Sequence, residues 1–409
     1  MARVSLDRRR FVVQTGISLV ALMGRRAHGT QVSGHHGAPG ARAGASRLPD
    51  DALLREIPRL LELAAVPGLG LAVVEGGTRW VRGFGLRDQE RGSPVDPDTV
   101  FEAASLGKPL FAVAVLRLRD AGVLDLDRPL ASYLPLPDAG DPLAREITAR
   151  HVLSHTTGLP NWRYRPGPLS PATRPGTEYS YSGEGFVWLQ RVIERVTDRP
   201  FGRLMEREIL RPLGMADSSY VWRPAFAGRM AAGYGDAGQR LDVYGAMGRR
   251  LEQVVERIGR PPIDWRYEDS ERAHALAFPE LGRLPCYLVP NAAGSLLTTP
   301  SDYARFLAHL TTGEPASLGI SGSSLREMLS PQVRLNSAVS WGLGWGLEHD
   351  ESAEYFWHYG ANGSFRSFAI GSRGRRLAVA AFTNGAHGPK VYQRVIARIT
   401  GRDHAAFLW

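Results

Sequence analysis

The stretch from Ser105 to Ala121 constrains this chain more than any other. Leu110, Phe111, Val113, Val115, Leu116 and Leu118 put apolar side chains on nearly every face of a helix of that length. A helix that is apolar all round has to be buried all round, so the fold must carry layers of structure on every side of it. Pro109 is tolerated only in the first helical turn, where its missing N–H has no bond to lose. The helix therefore starts close to Ser105, and Gly122 stands where a C-terminal capping glycine would. Into this apolar surface the chain sets Lys108, one of only two lysines (with Lys390) among 50 Lys and Arg residues. Arginine stays protonated at any usable pH, whereas a desolvated lysine can give up its proton and act as a base. Ser105 and Lys108, three residues apart, share one helical face, with the positive end of the helix dipole at the hydroxyl. The pair predicts a nucleophilic serine beside an abstractable partner.

The rest of the chain supplies the layers. Residues 69–85 alternate apolar and polar about Glu75-Gly76-Gly77-Thr78, the pattern of a β-hairpin. Ser364–Ile370 and Arg376–Thr383 read as two strands joined by Gly371-Ser372-Arg373-Gly374. Helices are expected over Gly185–Val196, over Pro300–Leu310 behind the capping sequence Thr299-Pro300-Ser301-Asp302, and from near Pro389. The expectation is an α+β fold, an α/β sandwich: an antiparallel sheet built from the N- and C-terminal segments, flanked by helices, with a mainly helical region inserted. Its α/β part spans 48–100 plus 340–409 and its helical part 101–339. Residues 235–290, interrupted by Arg260-Pro261-Pro262, read as an insertion or lid over the site.

The formal charge of +9 is concentrated at one end. Residues 1–47 hold eight arginines against one aspartate, which leaves only +2 for the remaining residues. That nearly neutral body has no basic stripe with aromatic platforms, so a nucleic-acid role is excluded. Arg8-Arg9-Arg10-Phe11 precedes an apolar run to Gly24 that is too short to span a bilayer. It reads as a twin-arginine-type signal followed by a flexible spacer, and predicts export by the twin-arginine machinery to a periplasmic or extracellular location. Cys286 is the only cysteine, so no intramolecular disulfide forms. The 11 histidines show no metal-ligand spacing, and neither a metal nor another cofactor is expected.

Two further segments bear on chemistry: Pro175-Gly176-Thr177-Glu178-Tyr179-Ser180-Tyr181-Ser182-Gly183, and Trp357-His358-Tyr359-Gly360-Ala361-Asn362-Gly363 leading into a strand. With the Ser-x-x-Lys element, the chain resembles the serine β-lactamase and penicillin-binding-protein superfamily. It is most similar to the branch of class C β-lactamases, D-alanyl-D-alanine carboxypeptidases and family VIII esterases. The resemblance runs over roughly residues 50–400. Along it stand, in order, Val66-Pro67-Gly68, Gly83-Phe84-Gly85, Leu124-Asp125-Leu126-Asp127, Leu153-Ser154-His155-Thr156-Thr157-Gly158-Leu159, Leu213-Gly214-Met215 and Thr383-Asn384-Gly385. It implies a β-lactamase-like fold and a catalytic group of Ser105, Lys108 and Tyr181 working through an acyl-enzyme, with the base, Lys108 or Tyr181, left open. It further implies an oxyanion hole from the N–H groups of Ser105 and Ala361. His358 and Gly360 stand in the place of the superfamily's Lys-Thr-Gly: Gly360 to let substrate approach the strand, His358 to polarise the site or bind a carboxylate when protonated. His155 is read as fixing its own loop. An α/β-hydrolase is the weaker enzyme reading, because no Gly-x-Ser-x-Gly elbow occurs.

One departure is informative. The family's Tyr-x-Asn ends here in Gly183, so the amide that donates to the carbonyl of a lactam or peptide is missing. A site that loses such a donor loses its discrimination for amides. The expectation is therefore an esterase-like or small-amide hydrolase, with a β-lactamase or D-amino-acid peptidase as the alternative and a non-catalytic cell-wall peptide-binding protein as the rival. The substrate is an ester, lactam or peptide in the first two cases. Glu184 or a residue of 235–290 is the candidate substitute for the missing donor, and Gly183→Asn is expected to raise amide turnover.

Overall fold

Leu69, Leu71 and Val73 of the strand Gly68–Glu75 pack on one side, Ala72 and Val74 on the other, because successive strand side chains alternate. The adjacent strand Leu377–Thr383 divides in the same way, with Leu377, Val379 and Ala381 opposite Ala378, Ala380 and Phe382. A sheet that is apolar on both faces needs a layer over each. On one face lie the helices Asp51–Leu63 and Gly388–Thr400, contributing Leu53, Ile57, Val391 and Val395. On the other lie the helix Pro300–Thr312 and the helical region that encloses Gly107–Asp120.

The structure, a computed structural model, describes residues 46–408 except 136–140, 164–167, 242–251, 278–288, 313 and 351–352. The twin-arginine segment, Cys286 and part of 235–290 lie outside the described residues. Residues from Ser46 onward form one compact unit. Its main sheet is antiparallel throughout, in the order Ser93–Pro94, Thr78–Asp88, Gly68–Glu75, Leu377–Thr383, Phe365–Ser372, Ala353–Asn362, Gly346–Asp350, Val339–Trp341, Val333–Arg334. The two ends of the chain meet where Gly68–Glu75 pairs with Leu377–Thr383, Leu69 opposite Thr383. The fold is thus α+β as expected. The C-terminal part of the sheet begins at Val333 rather than near 340, and the middle of the chain also holds a small separate ladder, Phe101–Ala104 against Leu296–Thr298.

The apolar stretch forms the helix Gly107–Asp120, buried without interruption from Gly107 to Leu116. Gly122, at φ +70°, closes it with an N–H to the Arg119 carbonyl at 2.9 Å. The second helix, Gly183–Thr197, begins two residues earlier than its sequence pattern suggests. Ser182 caps it by accepting from the Gly185 N–H at 3.0 Å, the preferred side-chain chemistry at a helix start. In the 235–290 segment the described parts are a short pairing of Gly233–Tyr234 with Arg240–Leu241, a helix over 252–258 and the helix Tyr267–Ala277.

Candidate active site

Ser105 sits between a strand and a helix. Phe101–Ala104 runs up to it, Ala104 takes a left-handed φ of +51°, and the helix starts at Gly107. A non-glycine residue in that region carries strain that its surroundings must hold in place. Three contacts hold it: the Leu106 N–H donates to the Ala103 carbonyl at 3.0 Å, and the buried hydroxyls of Tyr220 and Tyr303 donate to the carbonyls of Gly107 and Leu106 at 2.6 and 3.1 Å. The sequence reading missed both tyrosines, since neither is near Ser105 in the chain.

Lys108 is fully buried. Its Nζ donates to Ser105 Oγ at 2.9 Å and to the Ala293 carbonyl at 2.5 Å, and Ser105 Oγ donates to the same carbonyl at 3.2 Å. Burial drives the lysine pKa well below its ordinary value, because the charged form loses its hydration. The carbonyl that meets it belongs to a turn fixed from two sides. Asn362 Nδ2 donates to the Gly294 carbonyl at 2.8 Å, and the Ala292 N–H donates to Gln190 Oε1 at 2.8 Å. Gln190 Nε2 in turn donates to Glu194 at 3.2 Å, and the other oxygen of Glu194 accepts the Tyr267 N–H at 2.9 Å. Burial raises the Glu194 pKa to about 7. A continuous set of polar contacts thus ties the helix Tyr267–Ala277 to the acceptor of Lys108.

Tyr181 lies over this pair, its ring centroid 4.8 Å from Lys108 Nζ. Its hydroxyl is buried beside that of Ser105. Burial, then Tyr359, hold its pKa well above the ordinary phenol value, and the nearby Ser105 hydroxyl works in the other direction. His358 is fully buried, and its Nδ1 donates to the Tyr359 carbonyl at 2.7 Å. Burial pushes its pKa down to about 3. Of the two roles expected of His358, binding a carboxylate as a cation is disfavoured: burial holds the imidazole neutral, with Nε2 left as an acceptor.

Gly360 is also explained differently. A Cβ there would stand 2.1 Å from the Ala103 carbonyl oxygen and 2.4 Å from Ser367 Oγ. The glycine is needed so that the strand Ala353–Asn362 can lie against the segment leading into Ser105, and it does so from the side the protein occupies. The strand's other edge is open from His358 onward, because Gly346–Asp350 pairs only with Ala353–Trp357. Bonded and non-bonded pairs alternate along an antiparallel ladder. Asn362 and Phe365 close the hairpin, so the exposed Ala361 falls in a non-bonded pair with its N–H turned to the open edge.

At Gly183 a Cβ would stand 2.6 Å from the indole of Trp162. The space of the missing asparagine is filled by a ring from the preceding loop. Glu184 does not stand in for the amide: its carboxylate accepts from Arg163 N and Nε at 3.0 and 3.1 Å. Among the described residues no group of His, Cys, Asp and Glu is placed to hold a metal ion, and no helix is long and apolar enough to cross a membrane.

The sheet order and the Ser105–Lys108 pair define a β-lactamase-like architecture. The chain belongs to the Beta-lactamase family, whose family model matches residues 55–401. It is 32% identical to the esterase EstB of Burkholderia gladioli over 197 residues, 40% of this chain and 49% of that one, so the match spans about half the length of that relative. It is 26% identical to penicillin-binding protein 4 of Amycolatopsis lactamdurans over 363 residues, 82% of this chain and 85% of the other. Among solved structures, the D-alanine carboxypeptidase AmpC from Burkholderia cenocepacia is similar with a TM-score of 0.67 at 19% identity, covering 86% of this chain and 98% of that one. A class C β-lactamase reaches 0.66 at 16% identity, over 86% and 94%. At such identities the structural likeness establishes the fold alone.

The Gly360 contact yields a prediction. Gly360→Ala pushes the Ala103 carbonyl aside and displaces Ser105, so labelling of Ser105 by a fluorophosphonate should slow at least tenfold. The fold should lose about 1–3 kcal/mol, the usual range for overpacking. Labelling at the wild-type rate in the folded variant would refute the coupling.

Proposed function

We propose that the chain is a serine hydrolase that works through an acyl-enzyme on Ser105 and prefers esters to amides. Lys108 is the base: its amine is desolvated and already on the hydroxyl, whereas burial disfavours the Tyr181 phenolate. Lys108 takes the Ser105 proton as Oγ attacks the acyl carbon, and the N–H groups of Ser105 and Ala361 receive the charge on the carbonyl oxygen. Tyr181 protonates the leaving alkoxide and is reprotonated by Lys108. Water then attacks the acyl-enzyme, its proton returning by the same groups to Ser105 Oγ.

The observation that carries the ester preference is the Trp162 indole against Gly183. It occupies the place of an amide donor with an apolar surface, which suits an acyl or alkoxy group without an N–H to satisfy. The match to an esterase supports the same reading. In a panel of p-nitrophenyl esters, nitrocefin and D-Ala-D-Ala peptides, esters should turn over fastest and Ser105→Ala should abolish turnover. Faster nitrocefin hydrolysis would overturn the preference. Because the ring blocks an added side chain, Gly183→Asn alone should not raise lactam turnover, while Gly183→Asn with Trp162→Ala should.

The pH dependence follows from the groups named. A neutral amine is required, so kcat/KM should rise with pH as Lys108 loses its proton and level off well below its ordinary pKa of 10.5. His358 and Tyr181 are shifted out of the neutral range and add no limb. Lys108→Arg should abolish turnover; a surviving acid limb in that variant would remove the assignment of the base. Export by a twin-arginine signal belongs to the same reading and rests on Arg8-Arg9-Arg10-Phe11 ahead of a short apolar run. Replacing Arg8, Arg9 and Arg10 by Lys should hold the protein in the cytoplasm, and unaltered export would exclude that route.

A further inference from the structure

His155 has the geometry of a clamp on Tyr181. Its carbonyl accepts the Ser180 N–H at 2.7 Å and its Nδ1 accepts the Ser182 N–H at 3.0 Å. The two peptide N–H groups that flank Tyr181 are thus both held by one residue. The His155 ring also stacks on the Tyr181 ring, centroids 4.1 Å apart and planes 25° apart. Phe186 and Trp341 pack on the imidazole at 5.2 Å each, and the residue is fully buried.

Three demands meet at this position. The backbone is left-handed, φ +55°, a region in which Asn, Asp and His are enriched among non-glycine residues. The side chain must offer an acceptor close to the main chain, and it must offer a flat apolar face. Asparagine meets the first two and phenylalanine the third; histidine meets all of them. With Nδ1 accepting, the proton sits on Nε2, which has no partner among the described residues. The imidazole must stay neutral to keep the bond, and burial, with Lys108 and His358 facing it, holds its pKa well below the ordinary value. Tyr179 and Tyr181 are the other titratable groups against the ring.

We propose that His155 is the positioning residue of Tyr181, setting the phenol against Ser105 so that it can protonate the leaving group. The inference rests on the reading of Tyr181 as the proton relay. It predicts a dependence on the leaving group, because an alkoxide needs that proton and p-nitrophenolate leaves without it. The experiment compares an ethyl ester and a p-nitrophenyl ester of one acid in wild type, His155→Phe, His155→Ala, His155→Asn and Tyr181→Phe. Rates are referred to sites titrated with a fluorophosphonate, which removes misfolded protein from the comparison. His155→Phe and His155→Ala should lower kcat/KM, which reports acylation alone, about 100-fold for the ethyl ester, the scale of a lost general acid. For the p-nitrophenyl ester kcat/KM should fall less than about fivefold, because the two esters share one acyl-enzyme and differ only in the leaving group. His155→Asn should restore most of the ethyl-ester rate. Equal slowing of both esters, or an asparagine variant as damaged as the phenylalanine one, would overturn the inference while Tyr181→Phe remained selective. If Tyr181→Phe itself showed no selectivity, the relay assignment would fall and this inference with it.

Discussion

Everything at this site depends on keeping one amine out of water. An ammonium without hydration is strongly disfavoured, and the cheaper state is the neutral amine. The helix Gly107–Asp120 achieves this by being apolar on every side, and the sandwich achieves it by surrounding that helix. What remains polar at Lys108 Nζ is the Ser105 hydroxyl and the Ala293 carbonyl. A buried amine with those two neighbours suits the proposed role of accepting the serine proton.

The polar groups nearby are held by distant parts of the chain. The turn carrying Ala293 is pinned by Asn362 from the sheet and by Gln190 from the helix Gly183–Thr197. Glu194, bonded to Gln190 and to the Tyr267 N–H, extends that hold to the inserted segment. On the other side, Gly360 lets the sheet lie directly against the Ala103 carbonyl, two residues before Ser105. These close contacts fix where Ser105 stands. They explain how a strained Ala104 is tolerated there.

Much of this was legible in the sequence because the information was local. The buried helix, its capping glycine, the two hairpins and the helix over Pro300–Thr312 follow from periodicity and turn residues within short windows. The grouping of Ser105, Lys108 and Tyr181 came from ordered motifs rather than from any rule of spacing. The residues read incompletely were those whose contacts lie far along the chain or across the fold. Gly360 was read as room for substrate, and it also gives room to Ala103. His358 was read as a site polariser or a cation, and its depth in the fold keeps it neutral. His155 was read as fixing its own loop, and its bonds also reach Ser180 and Ser182.

The sequence alone determined that a lysine three residues from a serine would be desolvated, because a helix apolar on all sides cannot be solvated on any. It also determined that the family's amide donor is absent, since Gly183 has no side chain. Only the tertiary structure decided what fills that absence and what charge the neighbouring groups carry. The Trp162 ring packs against Gly183 through a contact between separate segments, and protonation follows from burial. Neither is a property of residue type or of spacing along the chain.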